Sequence, residues 1–175
     1  RSIDEGRPVL GIFGPGRGRP DVLAQAAAAQ AIRHGGPVVI AMPLAGQVDR
    51  LQAEIAPMLA RIGLHVFPAH GALMFRRRQR VLAALADGTA DVVVASIEFL
   101  RHAPGVLRPG LVLLECDPAV DAGAFAGALE RLGQPQWSAL ASSIGIEGIR
   151  ALHELMHLGV TGDVEVRTNL RLVDR

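Results

Sequence analysis

Five short runs in this chain are apolar at nearly every position: Val9–Phe13, Pro37–Met42, Leu64–Phe67, Asp91–Ala95 and Leu111–Glu115. A strand with one wet face alternates apolar and polar residues, so runs without alternation need cover on both faces. Each run is followed by a stretch of helical period, at approximately 20–34, 46–62, 75–87, 97–103 and 121–132. Strand and helix in regular alternation predict an α/β fold, a doubly wound and mostly parallel sheet between two helical layers. Ligands of such sheets gather at the carboxyl ends of the strands, here the loops after Phe13, Met42, Phe67, Ala95 and Glu115. Beyond Trp137 the pattern continues with a short apolar segment to Ala141 and a helix from about Gly145 to Leu158. The alternating stretch Asp163–Val173 closes the chain and reads as a strand with one wet face.

At 175 residues the chain has room for one sizeable core, so positions 1–175 are expected to form a single domain. The charged run Arg1–Arg7 resembles neither a signal peptide nor a tag, which suggests the C-terminal piece of a longer protein. No apolar stretch approaches the roughly 20 residues that a membrane helix needs, and the expectation is a soluble protein. Cys116 is the single cysteine, which excludes an internal disulfide and fits a reducing, cytoplasmic setting. A net charge of +1 gives no general attraction to nucleic acid, so any contact with DNA must be local. Tyrosine is absent and tryptophan occurs once, so a platform for stacking single-stranded bases is poorly supplied.

The loop Phe13–Pro20 carries Gly14, Gly16, Arg17, Gly18 and Arg19 between a strand and a helix, the setting in which backbone N–H groups cradle a phosphate. Its residues depart from the G-x-x-x-x-G-K-[ST] pattern. Phe13 stands for the first glycine, Arg19 for the lysine and Pro20 for the hydroxyl residue that coordinates magnesium. All eighteen cations of the chain are arginines, so no lysine elsewhere can take over, and the larger planar guanidinium does not replace a compact ammonium. The expectation is a strand-to-helix turn that binds nothing, with residual anion binding by Arg17, Arg19 and the helix terminus, or the ATP binding of a helicase lobe, as the alternatives.

Further segments follow in a telling order. Val38–Gln47 is a buried strand ending in Pro43 before a helix; Val66–Gly71, an arginine-rich helix and Gly88–Leu100 come next, with Ser96-Ile97 at a strand end. Leu111–Pro118 presents Glu115-Cys116-Asp117, and Ser138–Ser143 is a serine- and alanine-rich strand. Together these segments resemble, over nearly the whole chain, the motifs of a RecA-like helicase lobe of the P-loop NTPase class. The resemblance implies a three-layer sandwich, with Glu115-Cys116 in the place of the paired acids of the DExH box. Phosphoryl transfer needs one carboxylate for magnesium and a second to orient water, and Cys116 occupies the second place. A phosphate loop without lysine and a box without its second acid predict a pseudo-ATPase, with no catalytic residue and no cofactor of its own.

The degenerate lobe, the alanine- and arginine-rich composition and the ending Gly159–Arg175 resemble the C-terminal domain of RecJ exonucleases of the Deinococcus type. RecJ enzymes degrade single-stranded DNA from the 5′ end in repair and recombination, with manganese or magnesium held by a DHH core. None of those motifs occurs here, and no catalytic residue transfers. For an appended domain the resemblance implies protein–protein interaction, with HerA helicase or single-strand-binding protein as partners and at most a weak single-stranded-DNA contact.

Two further patterns compete for a functional role. Arg76, Arg77, Arg78 and Arg80 open a helix and are candidates for an acidic partner or for DNA phosphates, since guanidinium groups bind anions bidentately; the alternative is a solvated helix face. His153, Glu154 and His157 match H-E-x-x-H, the zinc-hydrolase pattern, but the third histidine of the extended form is missing. Leu152, Leu155, Met156 and Leu158 make an ordinary amphipathic helix the expected reading there. His70 is expected to be part of a turn and Trp137 to pack in the core, with an interface anchor as the alternative for Trp137.

Overall fold

The computed structural model describes residues 9–13, 19–34, 36–115, 120–142, 154 and 165–169. Among the described residues the elements follow one another as β1 (Val9–Phe13), α1 (Arg19–His34), β2 (Val38–Met42), α2 (Ala45–Ala60), β3 (Val66–Ala69) and α3 (Phe75–Ala86). They continue as β4 (Val92–Ser96), α4 (Ile97–Arg101), β5 (Leu111–Glu115), α5 (Ala122–Arg131), β6 (Gln136–Ser142) and β7 (Glu165–Asn169). All strands are parallel and lie in one sheet, in the order β3-β4-β2-β5-β6-β1-β7.

The sequence dictates why this sheet is sandwiched. β2, β4 and β5 are buried at all five positions each, and successive side chains of a strand point to opposite faces. Val38, Ile40, Val92, Val94, Leu111 and Leu113 meet Leu23 and Ala27 of α1 and Val48, Leu51, Ile55 and Leu59 of α2. Val39, Ala41, Val93, Ala95, Val112 and Leu114 meet Leu85 of α3, Leu100 of α4 and Phe125 and Leu129 of α5. Each such large side chain, once buried, contributes about 1.5–3 kcal/mol through removal of apolar surface from water. Trp137 is 5% exposed and sets its ring edge-on to Phe125, centroids 5.7 Å apart and planes at 78°. It is a core residue, and the interface-anchor alternative falls.

The sequence places the third strand at 64–67, and the structure places it at 66–69. The shift has a cause in Pro68, which cannot donate to a ladder on both sides and is tolerated because β3 is the edge strand, paired with β4 alone among the described residues. Before it, the His65 N–H donates to Asp91 Oδ2 at 2.7 Å and the His65 carbonyl accepts from Val92 N–H at 3.1 Å, which fixes the register. Gly63, at φ 80°, turns the chain out of α2 in a conformation that an L side chain resists. The expected C-terminal strand exists over Glu165–Asn169, where it pairs with β1. The predicted helix at 145–158 lies outside the described residues except for Glu154, which is helical and exposed. No helix among the described residues is long and apolar enough to cross a membrane.

Candidate functional site

The carboxyl edge of the sheet brings together the amino ends of the helices, and each end is built differently. Ser96 ends β4, and its Oγ accepts the Phe99 N–H at 3.2 Å, capping α4; this is the local role of the Ser96-Ile97 pair. Asp121 caps α5 in the same way, its Oδ1 accepting the Ala124 N–H at 3.0 Å. At α2 the side chain of Gln47 reaches back, its Oε1 accepting the Leu44 N–H at 3.1 Å. α3 has none of this. Its cap position is Met74, which offers no acceptor, and its first turn holds no acid.

Arginines occupy that amino end instead, and the structure divides the four into two pairs. Arg77 Nη1 lies 3.7 Å from Asp49 Oδ1 of α2, and Arg78 Nη2 donates to the Gly71 carbonyl at 3.2 Å. Both therefore tie α3 to its neighbours. Arg76 and Arg80 have no ion pair or hydrogen bond among the described residues and are exposed. They stand four apart on a helix, hence on one face and roughly 5–6 Å from each other at Cβ. Positive charge in a first turn opposes the helix dipole, by about 0.3–1 kcal/mol per charge at low salt. Met74 and Phe75, each 74% exposed, precede the pair in the chain, and Leu44 at the start of α2 is 56% exposed. The sequence reading singled out the arginines and missed Met74 and Phe75. Helical spacing held the signal: Phe75 falls off the buried stripe of Val81, Ala84 and Leu85.

Beneath the arginines lies a polar pair that sequence did not foresee. His70 is 5% exposed, and its Nε2 is 3.0 Å from Asp49 Oδ2. An ionised carboxylate only accepts, so Nε2 carries the proton and donates. Asp49 thus takes the imidazole with one oxygen and faces Arg77 with the other. The expected turn role of His70 holds, since its carbonyl accepts the Leu73 N–H at 3.3 Å.

The other candidates are only partly in view. Gly14, Gly16, Arg17 and Gly18 lie outside the described residues; Arg19 is the first residue of α1 and Pro20 the second, so the place of a lysine and a hydroxyl residue is taken by a helix start. Glu115 ends β5, is 3% exposed and is level with Gly11 of β1 across Leu140 of β6. Cys116 and Asp117 lie outside the described residues, as do His153 and His157 of the zinc pattern. Among the described residues no group of three His, Cys, Asp or Glu could hold a metal ion. A groove of about 210 Å³ between α1 and α2, lined chiefly by Ala24, Ala28, Met58 and Ile62, carries Asp21 as its only ionisable group and suits no chemistry.

No protein-family model matches the chain, and no curated protein matches it. Solved structures do. The C-terminal domain of the DEAD-box protein Dbp5 matches at 16% identity and TM-score 0.64, over 95% of this chain and 91% of that one. Dbp5 from S. cerevisiae, bound to RNA and ADP BeF3, matches at 15% identity and TM-score 0.70, over 93% of this chain and 41% of that one. A hypothetical ATP-dependent RNA helicase from Sulfolobus tokodaii matches at 16% identity and TM-score 0.66, over 95% of this chain and 49% of that one. This chain therefore spans less than half of those two helicases and nearly all of the single Dbp5 domain. Layer order, parallel sheet and these likenesses together establish that the chain has the α/β, RecA-like fold of helicase lobes.

Proposed function

We propose that this chain is a helicase-type RecA-like lobe that has kept the binding role of such a lobe and lost ATP turnover. The helicase half of the reading is supported by the fold likeness. The loss is supported by the residues: the chain holds no lysine, α1 opens with Arg19-Pro20, and Cys116 follows Glu115. These residues do not fit a magnesium–nucleotide complex.

The single observation that carries a binding role is the amino end of α3. It lacks a cap and an acid, collects cations and exposes two large apolar residues, local choices that cost stability and that folding alone does not explain. On this reading the lobe is an accessory module of a RecJ-like, 5′-to-3′ single-stranded-DNA exonuclease whose manganese or magnesium sits elsewhere. It docks a protein such as HerA helicase or single-strand-binding protein. A second reading, an ATP- or DNA-binding helicase lobe, draws on the same likenesses, one of which is a helicase bound to RNA and ADP BeF3.

Two measurements test the proposal. The purified chain is expected to release no magnesium-dependent phosphate from ATP; hydrolysis abolished by Arg19→Ala and by Glu115→Gln overturns the pseudo-ATPase. A nuclease-treated pull-down from native cytosol is expected to retain a specific protein; an empty bait, with DNA bound instead, moves the assignment to the second reading.

A further inference from the structure

We infer that residues 75–80, the first two turns of α3, are a conformational switch that opens independently of the rest of the fold and is closed by a polar latch on Asp49 and the Gly71 carbonyl. The inference stands apart from any docking or nucleotide role, since it concerns only how this segment is held. Apolar burial does not hold it. Residues 74–80 are all exposed, and the buried residues of α3, Val81, Ala84 and Leu85, lie beyond them. Helix-end chemistry does not hold it either, because Met74 offers no capping acceptor and arginines without an acid stand where the dipole is positive. What remains is the side-chain contact of two arginines. Arg77 Nη1 faces Asp49 Oδ1 of α2 at 3.7 Å, and Arg78 Nη2 donates to the Gly71 carbonyl at 3.2 Å.

The latch is of a kind that releases. The Arg77 and Asp49 side chains are 48% and 47% exposed, so water competes for both charges. Asp49 Oδ1 is a buried atom that accepts no hydrogen bond among the described residues, and Arg77 at 3.7 Å is beyond hydrogen-bond reach. Moving Arg77 away lets water reach that oxygen, which offsets part of what opening loses. The other oxygen keeps His70 Nε2 at 3.0 Å, so α2 and the turn after β3 stay joined when the segment opens. Few buried contacts and solvent-facing backbone hydrogen bonds place a segment at the low end of local stability. α5, on the same face of the sheet, is the contrast, since its first two turns bury Ala122 and Phe125. Closed, the segment commits Arg77 and Arg78 and leaves Arg76 and Arg80 outward; open, it frees all four guanidiniums. The switch therefore sets how many cations this corner of the molecule offers at one time.

The test is amide hydrogen exchange of the whole chain, followed by NMR at increasing denaturant below the unfolding transition. The amides of residues 78–80 are expected to exchange at least about a hundredfold faster than those of residues 125–127, which hold the same helical positions in α5, and at a rate nearly independent of denaturant. The variant Arg77→Ala/Arg78→Ala tests the latch, because two effects predict opposite signs. Alanine is the better helix former and removes charges that the dipole opposes, so a segment held by its own helicity exchanges more slowly in this variant. A latched segment exchanges faster, by at least about threefold, on loss of its two contacts. Both positions are on the surface, and unchanged exchange of the β2 and β4 amides verifies the fold. Exchange at 78–80 no faster than at 125–127, or sharing the rate and denaturant dependence of 82–85, means that α3 opens only as a whole and overturns the inference. Unchanged or slower exchange in the double variant removes the latch and overturns it equally.

Discussion

α3 and α5 pack on the same face of the same sheet, and their amino ends are built on opposite rules. α5 starts with Asp121 capping the Ala124 N–H, a charge that agrees with the helix dipole, and ends with Glu130 and Arg131 side by side in its last turn. α3 starts with Met74 and arginines and ends without a basic residue in its last turn. α5 also buries Phe125 against Trp137, whereas α3 exposes Phe75 at 74%. The contrast teaches which parts of the molecule were shaped by stability alone. α5 is capped and buries its aromatic residue; α3 does neither at its amino end, as expected of the docking surface proposed above.

Substitutions test this contrast, and the largest effect is expected at the two phenylalanines. Phe125→Ala removes a fully buried ring and is expected to cost about 3–5 kcal/mol in denaturant unfolding, whereas Phe75→Ala stays within about 0.5 kcal/mol. Equal costs for the two would erase the distinction. Next comes Asp49→Ala, which leaves buried His70 without its acceptor and frees Arg77; a loss of about 1–3 kcal/mol is expected, and no loss would show that α3 stands without this brace. Asp121→Ala removes the cap of α5 and should lower stability by about 1 kcal/mol. Met74→Asp supplies α3 with the cap and the acid it lacks and is expected to raise stability by about 0.5–1 kcal/mol in denaturant unfolding. A destabilised Met74→Asp protein would mean that the amino end of α3 is already satisfied.

Much of the fold was legible because periodicity is a local property. Runs such as Val92–Ser96 and Leu111–Glu115 are apolar on both faces, and that alone demands helices above and below. β3 was misplaced by two residues because Pro68 reads as a strand stop, and nothing within the segment says that it lies at an edge. The candidate site was half legible. Its arginines stand out in the sequence, while Asp49 and His70 are 21 residues apart and meet only because α2 packs beside β3.

The alternation of strand and helix, the two-sided burial of the sheet and the absence of a lysine for a phosphate loop are written in the residues themselves. These follow from side-chain chemistry read at short range. The tertiary structure decided the strand order β3-β4-β2-β5-β6-β1-β7 and the sorting of four chemically identical arginines into two that brace and two that face outward. That sorting depends on Asp49 and the Gly71 carbonyl, groups from outside α3, and folding alone puts them within reach.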